Sequence, residues 1–169
     1  MKALVKYELG ALNVKVMEVE KPKISPDEVL IKVMGAGICG TDLHILTDNS
    51  YPVKPPVILG HEVSGVIEEV GENVKGWKKG DKVVSETYYY TCGNCYFCKT
   101  GSINLCEEKL SIGSGVNGAM AEFVKVPAKN LHSFPESLSF EEACMTEPLV
   151  CCVQAVFQHG RLSPEDYVV

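Results

Sequence analysis

The sequence has no surplus of basic residues: 16 Lys and Arg stand against 22 Asp and Glu, for a formal net charge of -6. A nucleic-acid partner favours a basic face, so this balance argues against that class. No apolar run reaches membrane length, and Met1-Lys2-Ala3-Leu4-Val5-Lys6 is too short and too charged for a signal peptide. Internal repeats and low-complexity linkers are also lacking, which removes repeat arrays and tethered modules from consideration. What remains is a globular composition, 46% hydrophobic and 22% charged over 169 residues. That is enough for one substantial core with an appended lobe.

The clearest chemistry lies between Cys92 and Cys106. Cys92, Cys95, Cys98 and Cys106 follow a C-x2-C-x2-C-x7-C spacing, with Gly93, Asn94 and Gly101 as turn residues where the chain must curl. Four thiolates suit a tetrahedral structural zinc. Two disulfides are the alternative pairing, and four cysteines also suit an iron–sulfur cluster. Reduced, metal-binding cysteines without an export signal point to the cytoplasm. Cys39, Cys144, Cys151 and Cys152 stand outside this cluster.

Short strands dominate the rest. Segments 1–7, 14–19, 28–34, 62–70, 82–86 and 122–126 are rich in Val and Ile and are separated by Gly, Pro, Asn or Asp. Val29, Ile31 and Val33 fall on one face, as in a half-buried strand. Near the end the period changes. Ser139-Phe140-Glu141-Glu142 has the form of a capping box, with Ser139 as N-cap. From Glu147 onward Leu149, Cys152, Val153 and Val156 recur at helical spacing, with Gly160 as the expected C-cap. Tyr167-Val168-Val169 looks like the opening of another strand.

A second set of metal-ligand types is scattered. Gly37-Ile38-Cys39-Gly40-Thr41-Asp42-Leu43-His44 follows a strand, Gly60-His61-Glu62 follows a Pro-rich segment, and Thr146-Glu147-Pro148-Leu149 opens the late helix. A catalytic zinc needs about three protein ligands and an open position. Cys39, His61 and an acid, Glu62 or Glu147, make such a set. Taken singly, Cys39 also reads as a small buried residue, His61 and His44 as loop histidines, and Glu147 as an acid at a helix start.

In order and spacing, these motifs resemble the N-terminal catalytic domain of zinc-dependent medium-chain alcohol and polyol dehydrogenases. The matching pieces are G-x-C-G-T-D-x-H at 37–44, G-H-E-x-x-G at 60–65, Gly71 with the 76–83 stretch, the cysteine lobe, and E-P-L at 147–149. The resemblance implies a mainly β, GroES-like fold: a partly open β-barrel with a few short helices, residues 1–169, carrying a zinc lobe at 88–110. It implies two zinc ions per chain. Cys39 and His61 would hold the catalytic one, with Glu62 in or just behind its shell, and Cys92, Cys95, Cys98 and Cys106 the structural one. Glu147 stands where horse-liver-type enzymes carry a cysteine ligand, and Glu-Pro-Leu there resembles the sorbitol and polyol branch.

The same resemblance implies a reaction: oxidation of a secondary alcohol or polyol with NAD or NADP. Zinc would act as a Lewis acid, while Thr41 and then His44 relay a proton. Substrate choice among polyols, secondary alcohols, sugars and threonine stays open. Val53, Tyr51, Leu110, Ile112 and Tyr88-Tyr89-Tyr90 are candidate pocket residues. The family carries a Rossmann cofactor domain after the catalytic one, which makes its members about twice this length. The expectation is therefore a catalytic domain cut from a longer protein, inactive by itself and homo-oligomeric in full-length form. Two Gly-rich runs imitate a dinucleotide fingerprint, at 35–40 and 113–118. Neither opens a helix of ordinary length, so both read as loops. A non-enzymatic, zinc-stapled GroES-like interaction module is the alternative.

Overall fold

The computed structural model describes residues 1–47 and 50–167. Ten strands carry the architecture: Lys2–Lys6 (β1), Val14–Glu18 (β2), Glu28–Ala36 (β3), Val57–Ile58 (β4), Val63–Val70 (β5), Lys82–Ser85 (β6), Tyr88–Tyr90 (β7), Leu110–Ser111 (β8), Phe123–Pro127 (β9) and Leu131–Ser133 (β10). They form a five-stranded sheet in the order β10-β6-β5-β3-β9, a three-stranded sheet β2-β1-β4, and the two-stranded ribbon β7-β8. All pairings are antiparallel. A bridge between Ala3 and Ala121 links the smaller sheet to the approach of β9, and no closed barrel results.

Sequence alternation explains the core. Val29 and Ile31 of β3 pack with Val63 and Ile67 of β5, Val83 of β6, and Val124 and Val126 of β9, while Val33 lies partly buried against the same cluster. Successive side chains of a strand point to opposite faces, so one strand offers every second residue to this core. Leu30 is fully buried as well, so the first half of β3 is covered on both sides. Ile112 joins the main core and Val53 packs against a smaller cluster of Ile45, Val57 and Leu59, so both serve packing.

Four short helices sit at the ends of strands: Gly40–Thr47 (α1), Tyr96–Lys99 (α2), Phe140–Ala143 (α3) and Thr146–Val153 (α4). The capping box of α3 is formed: Ser139 N–H donates to Glu142 Oε2 at 2.8 Å, and Glu142 N–H to Ser139 Oγ at 3.2 Å. The late helix departs from its expected form. It begins at Thr146, and beyond Val153 it widens into a π turn over Gln154–His159. Gly160 keeps a right-handed φ of -71°, and Arg161 takes the left-handed conformation at 53° instead. Tyr167 is exposed and outside any strand. Val168 and Val169, on which the expected last strand depends, lie outside the described residues.

One buried cation ties β1 to α1. Lys6 is fully buried, and its Nζ donates to Gly10 O at 2.5 Å and Ile45 O at 2.9 Å. Burial lowers its pKa from the ordinary lysine range. The ammonium thus caps the C-terminal half of α1, where a cation complements the helix dipole.

Candidate metal centres

The central pair β3–β5 delivers two loops to one place. Ala36 pairs with Val63 and Gly35 with Ser64, so the residues just after β3 and just before β5 are neighbours. Cys39 leaves the first strand and His61 and Glu62 enter the second. One ligand atom from each of the three, the thiol sulfur, a ring nitrogen and a carboxylate oxygen, lies within 4.8 Å of the other two.

Buried hydrogen bonds hold these loops. Asp42, on α1 and buried, accepts from Cys39 N–H through Oδ2 at 2.9 Å and from Gly60 N–H through Oδ1 at 3.3 Å. One carboxylate therefore clamps both ligand-bearing segments. Gly37 N–H donates to Glu62 O at 3.1 Å, joining the loops a second time. Gly60 bends the chain with φ at +90°, a conformation open to glycine at little cost. Burial pushes the Glu62 carboxyl up, the charges of Glu147 and Asp42 add to this, and His61 opposes it.

The other expected site residues surround this cluster. Thr41 Oγ1 accepts from the Cys39 thiol at 3.6 Å. His44 lies one turn further along α1 and is exposed, with its Nδ1 3.1 Å from Ser50 Oγ. Glu147, in the first turn of α4, is outside the three-residue ligand group found among the described residues. Its carboxylate accepts from the Cys151 thiol at 3.9 Å, and its charge reaches both Glu62 and the Tyr88 phenol. Tyr89 donates to Glu28.

The cysteine lobe is a separate centre. One sulfur each of Cys92, Cys95, Cys98 and Cys106 falls within 4.8 Å of all the others. Cys92 Sγ lies 3.6 Å from Cys106 Sγ and 3.9 Å from Cys98 Sγ. A disulfide needs about 2.05 Å, so the paired-disulfide alternative fails, and all eight cysteines are free. Four sulfurs at about 2.3 Å from a central zinc sit about 3.8 Å from each other by tetrahedral geometry. Cys92 already holds that spacing to Cys98 and Cys106.

The backbone stabilises sulfur as an anion. Cys92 N–H donates to Cys106 Sγ at 3.5 Å, Cys95 N–H to Cys92 Sγ at 3.4 Å, and Cys98 N–H to Cys95 Sγ at 3.4 Å. Cys95 is also the N-cap of α2. The N–H groups of Asn94 and Cys95 bring the Cys92 thiol down to about 7, while burial and the neighbouring thiols push Cys98 up to about 12. Crowded thiols without a shared cation cannot all ionise together. The donor set fits a soft divalent ion.

Sequence reasoning overlooked Asp42 and Gly37. Both are letters of the G-x-C-G-T-D-x-H run at 37–44, but that run was read for Cys39, Thr41 and His44.

Comparison with known proteins shows the family to which the chain is similar. Residues 25–136 match the family described as Alcohol dehydrogenase GroES-like domain. D-arabitol-phosphate dehydrogenase of Enterococcus avium is 41% identical over all 169 residues, which cover 48% of that protein. Sorbitol dehydrogenase of Halalkalibacterium halodurans is 42% identical over 92% of this chain and 45% of its own length. The crystal structure of galactitol-1-phosphate dehydrogenase from Escherichia coli superposes with a TM-score of 0.84 at 32% identity, covering 95% of this chain and 45% of that one. The chain thus spans about half the length of the curated relatives it matches.

Proposed function

Because the chain belongs to the alcohol dehydrogenase GroES-like domain family, we propose that it is the metal-bearing catalytic part of a zinc-dependent dehydrogenase acting on a secondary alcohol or polyol. The observation that carries this reading is the convergence of Cys39, His61 and Glu62 within 4.8 Å at the end of the β3–β5 pair. Thiolate, imidazole and carboxylate are the donors of a zinc site with an open position. When bound there, zinc supplies a Lewis acid that makes an alcohol hydroxyl acidic near neutral pH.

The remaining steps fall to the chain. The Thr41 hydroxyl, beside Cys39, accepts the proton that the substrate hydroxyl gives up as it passes its own toward His44. His44 stands three residues on, and positions three apart on a helix are neighbours. Its exposed imidazole, with Nδ1 3.1 Å from Ser50 Oγ, carries the proton outward. The charge of Glu147 helps to raise the Glu62 carboxyl, and a shared cation would relieve that repulsion. The cysteine lobe is the structural site, closed by four sulfurs.

Hydride transfer requires a nicotinamide, which this reading assigns to residues beyond these 169. Gly37 is packed against Glu62, and the 113–118 run leads toward β9 and not into a helix, so neither run has the strand-turn-helix form of a dinucleotide fingerprint. NADH titrated against the chain should give no saturable fluorescence change. Micromolar binding would relocate the cofactor site.

The test of the metal assignment is a count. Metal analysis of the purified chain is expected to give two zinc ions, and one after Cys39→Ser. A single ion in the unaltered chain, held by the lobe, would favour the non-enzymatic module instead.

A further inference from the structure

A groove of about 770 Å³ opens where β1, β4 and β9 meet, and none of the metal-centre residues lines it. Its charge runs against that of the chain. Lys21, Lys23, Lys54 and Lys125 border it with one acid, Glu20, in a protein of net charge -6. We propose that this groove binds a small organic anion, a phosphate monoester or carboxylate joined to an apolar body.

The four lysines are not equivalent. Lys125 Nζ sits 3.1 Å from Glu28, a buried carboxylate that also receives the Tyr89 hydroxyl. Lys21 Nζ is 2.9 Å from Glu69 and 4.4 Å from the centre of the Phe123 ring. These two cations are held in place from behind by acids that do not line the groove. Lys23 and Lys54 are exposed, and among the described residues neither has an ion-pair partner. Two fixed and two unpaired ammonium groups around one concavity favour an anion. Asn117 adds a neutral donor: its Oδ1 is taken by Ile58 N–H at 3.0 Å, leaving the NH2 group to give.

Size and lining define the rest of the ligand. The volume far exceeds that of a bare inorganic anion, and Pro56, Val116 and Phe123 supply apolar wall. Ligand sites commonly combine such a wall with a few placed polar groups. An anion with an aromatic or short aliphatic body answers both features.

Phenyl phosphate and phenylacetate are suitable probes, with inorganic phosphate and benzyl alcohol as the separate halves. Amide chemical-shift titration of the whole chain is expected to show saturable binding of the joined probes with Kd under about 1 mM, mapped to residues 115–118 and 123–125. Phenyl phosphate binding tighter than phenylacetate would identify the phosphate monoester as the source, and the reverse order the carboxylate. Either half alone should bind at least tenfold more weakly. Lys23→Met with Lys54→Met should weaken binding at least tenfold, while Lys99→Met leaves it unchanged. Both substituted lysines are exposed, so an unaltered melting curve is expected. Should the double variant misfold, the unaltered chain decides: affinity must fall as KCl is raised. Non-saturating shifts, salt-independent binding, or shifts centred on Cys39, His61 and Glu62 would overturn the proposal.

Discussion

The α-carbon of Gly37 faces the Glu62 carboxylate so closely that a β-carbon there would stand 1.8 Å from Oε2. No real contact is that short, so Gly37→Ala must displace the acid or the loop. Overpacking of this kind costs about 1–3 kcal/mol. The expected result is a melting point lowered by several degrees together with weaker cobalt(II) uptake at the Cys39–His61–Glu62 cluster. Unchanged cobalt spectra in a fully folded Gly37→Ala chain would show that Glu62 is not a ligand.

Asp42→Ala removes the acceptor shared by Cys39 N–H and Gly60 N–H. A buried donor left without a partner costs about 1–3 kcal/mol. Urea unfolding should therefore show a loss of at least about 2 kcal/mol, accompanied by metal loss at the neighbouring site. The cysteine lobe should keep its ion.

Cys95→Ser is expected to lower soluble yield and thermal stability sharply. Closed four-thiolate sites contribute their binding energy to folding. Metal analysis should show the lobe emptied and the second site still filled. Four sulfurs oxidised in pairs in protein prepared under reducing conditions would contradict the assignment.

Cys39→Ser and His61→Ala should each reduce occupancy of the second site far more than Cys151→Ser. Cys151 contacts Glu147 but is outside the ligand group. Equal losses in all three variants, read by metal content, would put Cys151 in the coordination shell.

Acid stability should depend on Glu28. Burial alone would raise its carboxyl, but hydrogen bonds from Tyr89, Ser25 N–H and Lys125 outweigh that and leave it below the ordinary 4.5. The unfolded chain then takes up the proton more readily than the folded one. The stabilisation is complete above about pH 4.5 and is lost as pH falls through the folded value. Melting temperatures of Glu28→Gln should accordingly vary less with pH below 4.5 than those of the unaltered chain.

Strands were legible where alternation ran long enough. β3 declares itself through Val29, Ile31 and Val33 at every second place, and α3 through Ser139 and Glu142. Two-residue strands such as β4 and β8 carry no periodicity to read. Alternation also gives a face but no neighbour, so the position of β9 beside β3 was hidden. Lys6 reads as a surface lysine, because its acceptors at Gly10 and Ile45 come from segments that only the fold unites. Consecutive tyrosines face opposite ways on a regular strand, yet nothing local says that Tyr89 is the one that turns to Glu28. The ligand types were visible as motifs. Their clamp, Asp42, was not, since a carboxylate beside a cysteine has many other uses.

The two metal centres draw on very different stretches of chain. The lobe closes within residues 92–106, through a few turns whose N–H groups already point at sulfur. The other centre exists only where β3 and β5 are in register, with Ala36 opposite Val63. A slip of one residue would turn every side chain of that pair to the wrong face and part Cys39 from His61. Local contacts form before distant ones. Metal uptake is therefore expected to act as a clock for the fold: the lobe should fill while the sheet is still assembling, and a second ion should enter only a chain whose central strands have found each other.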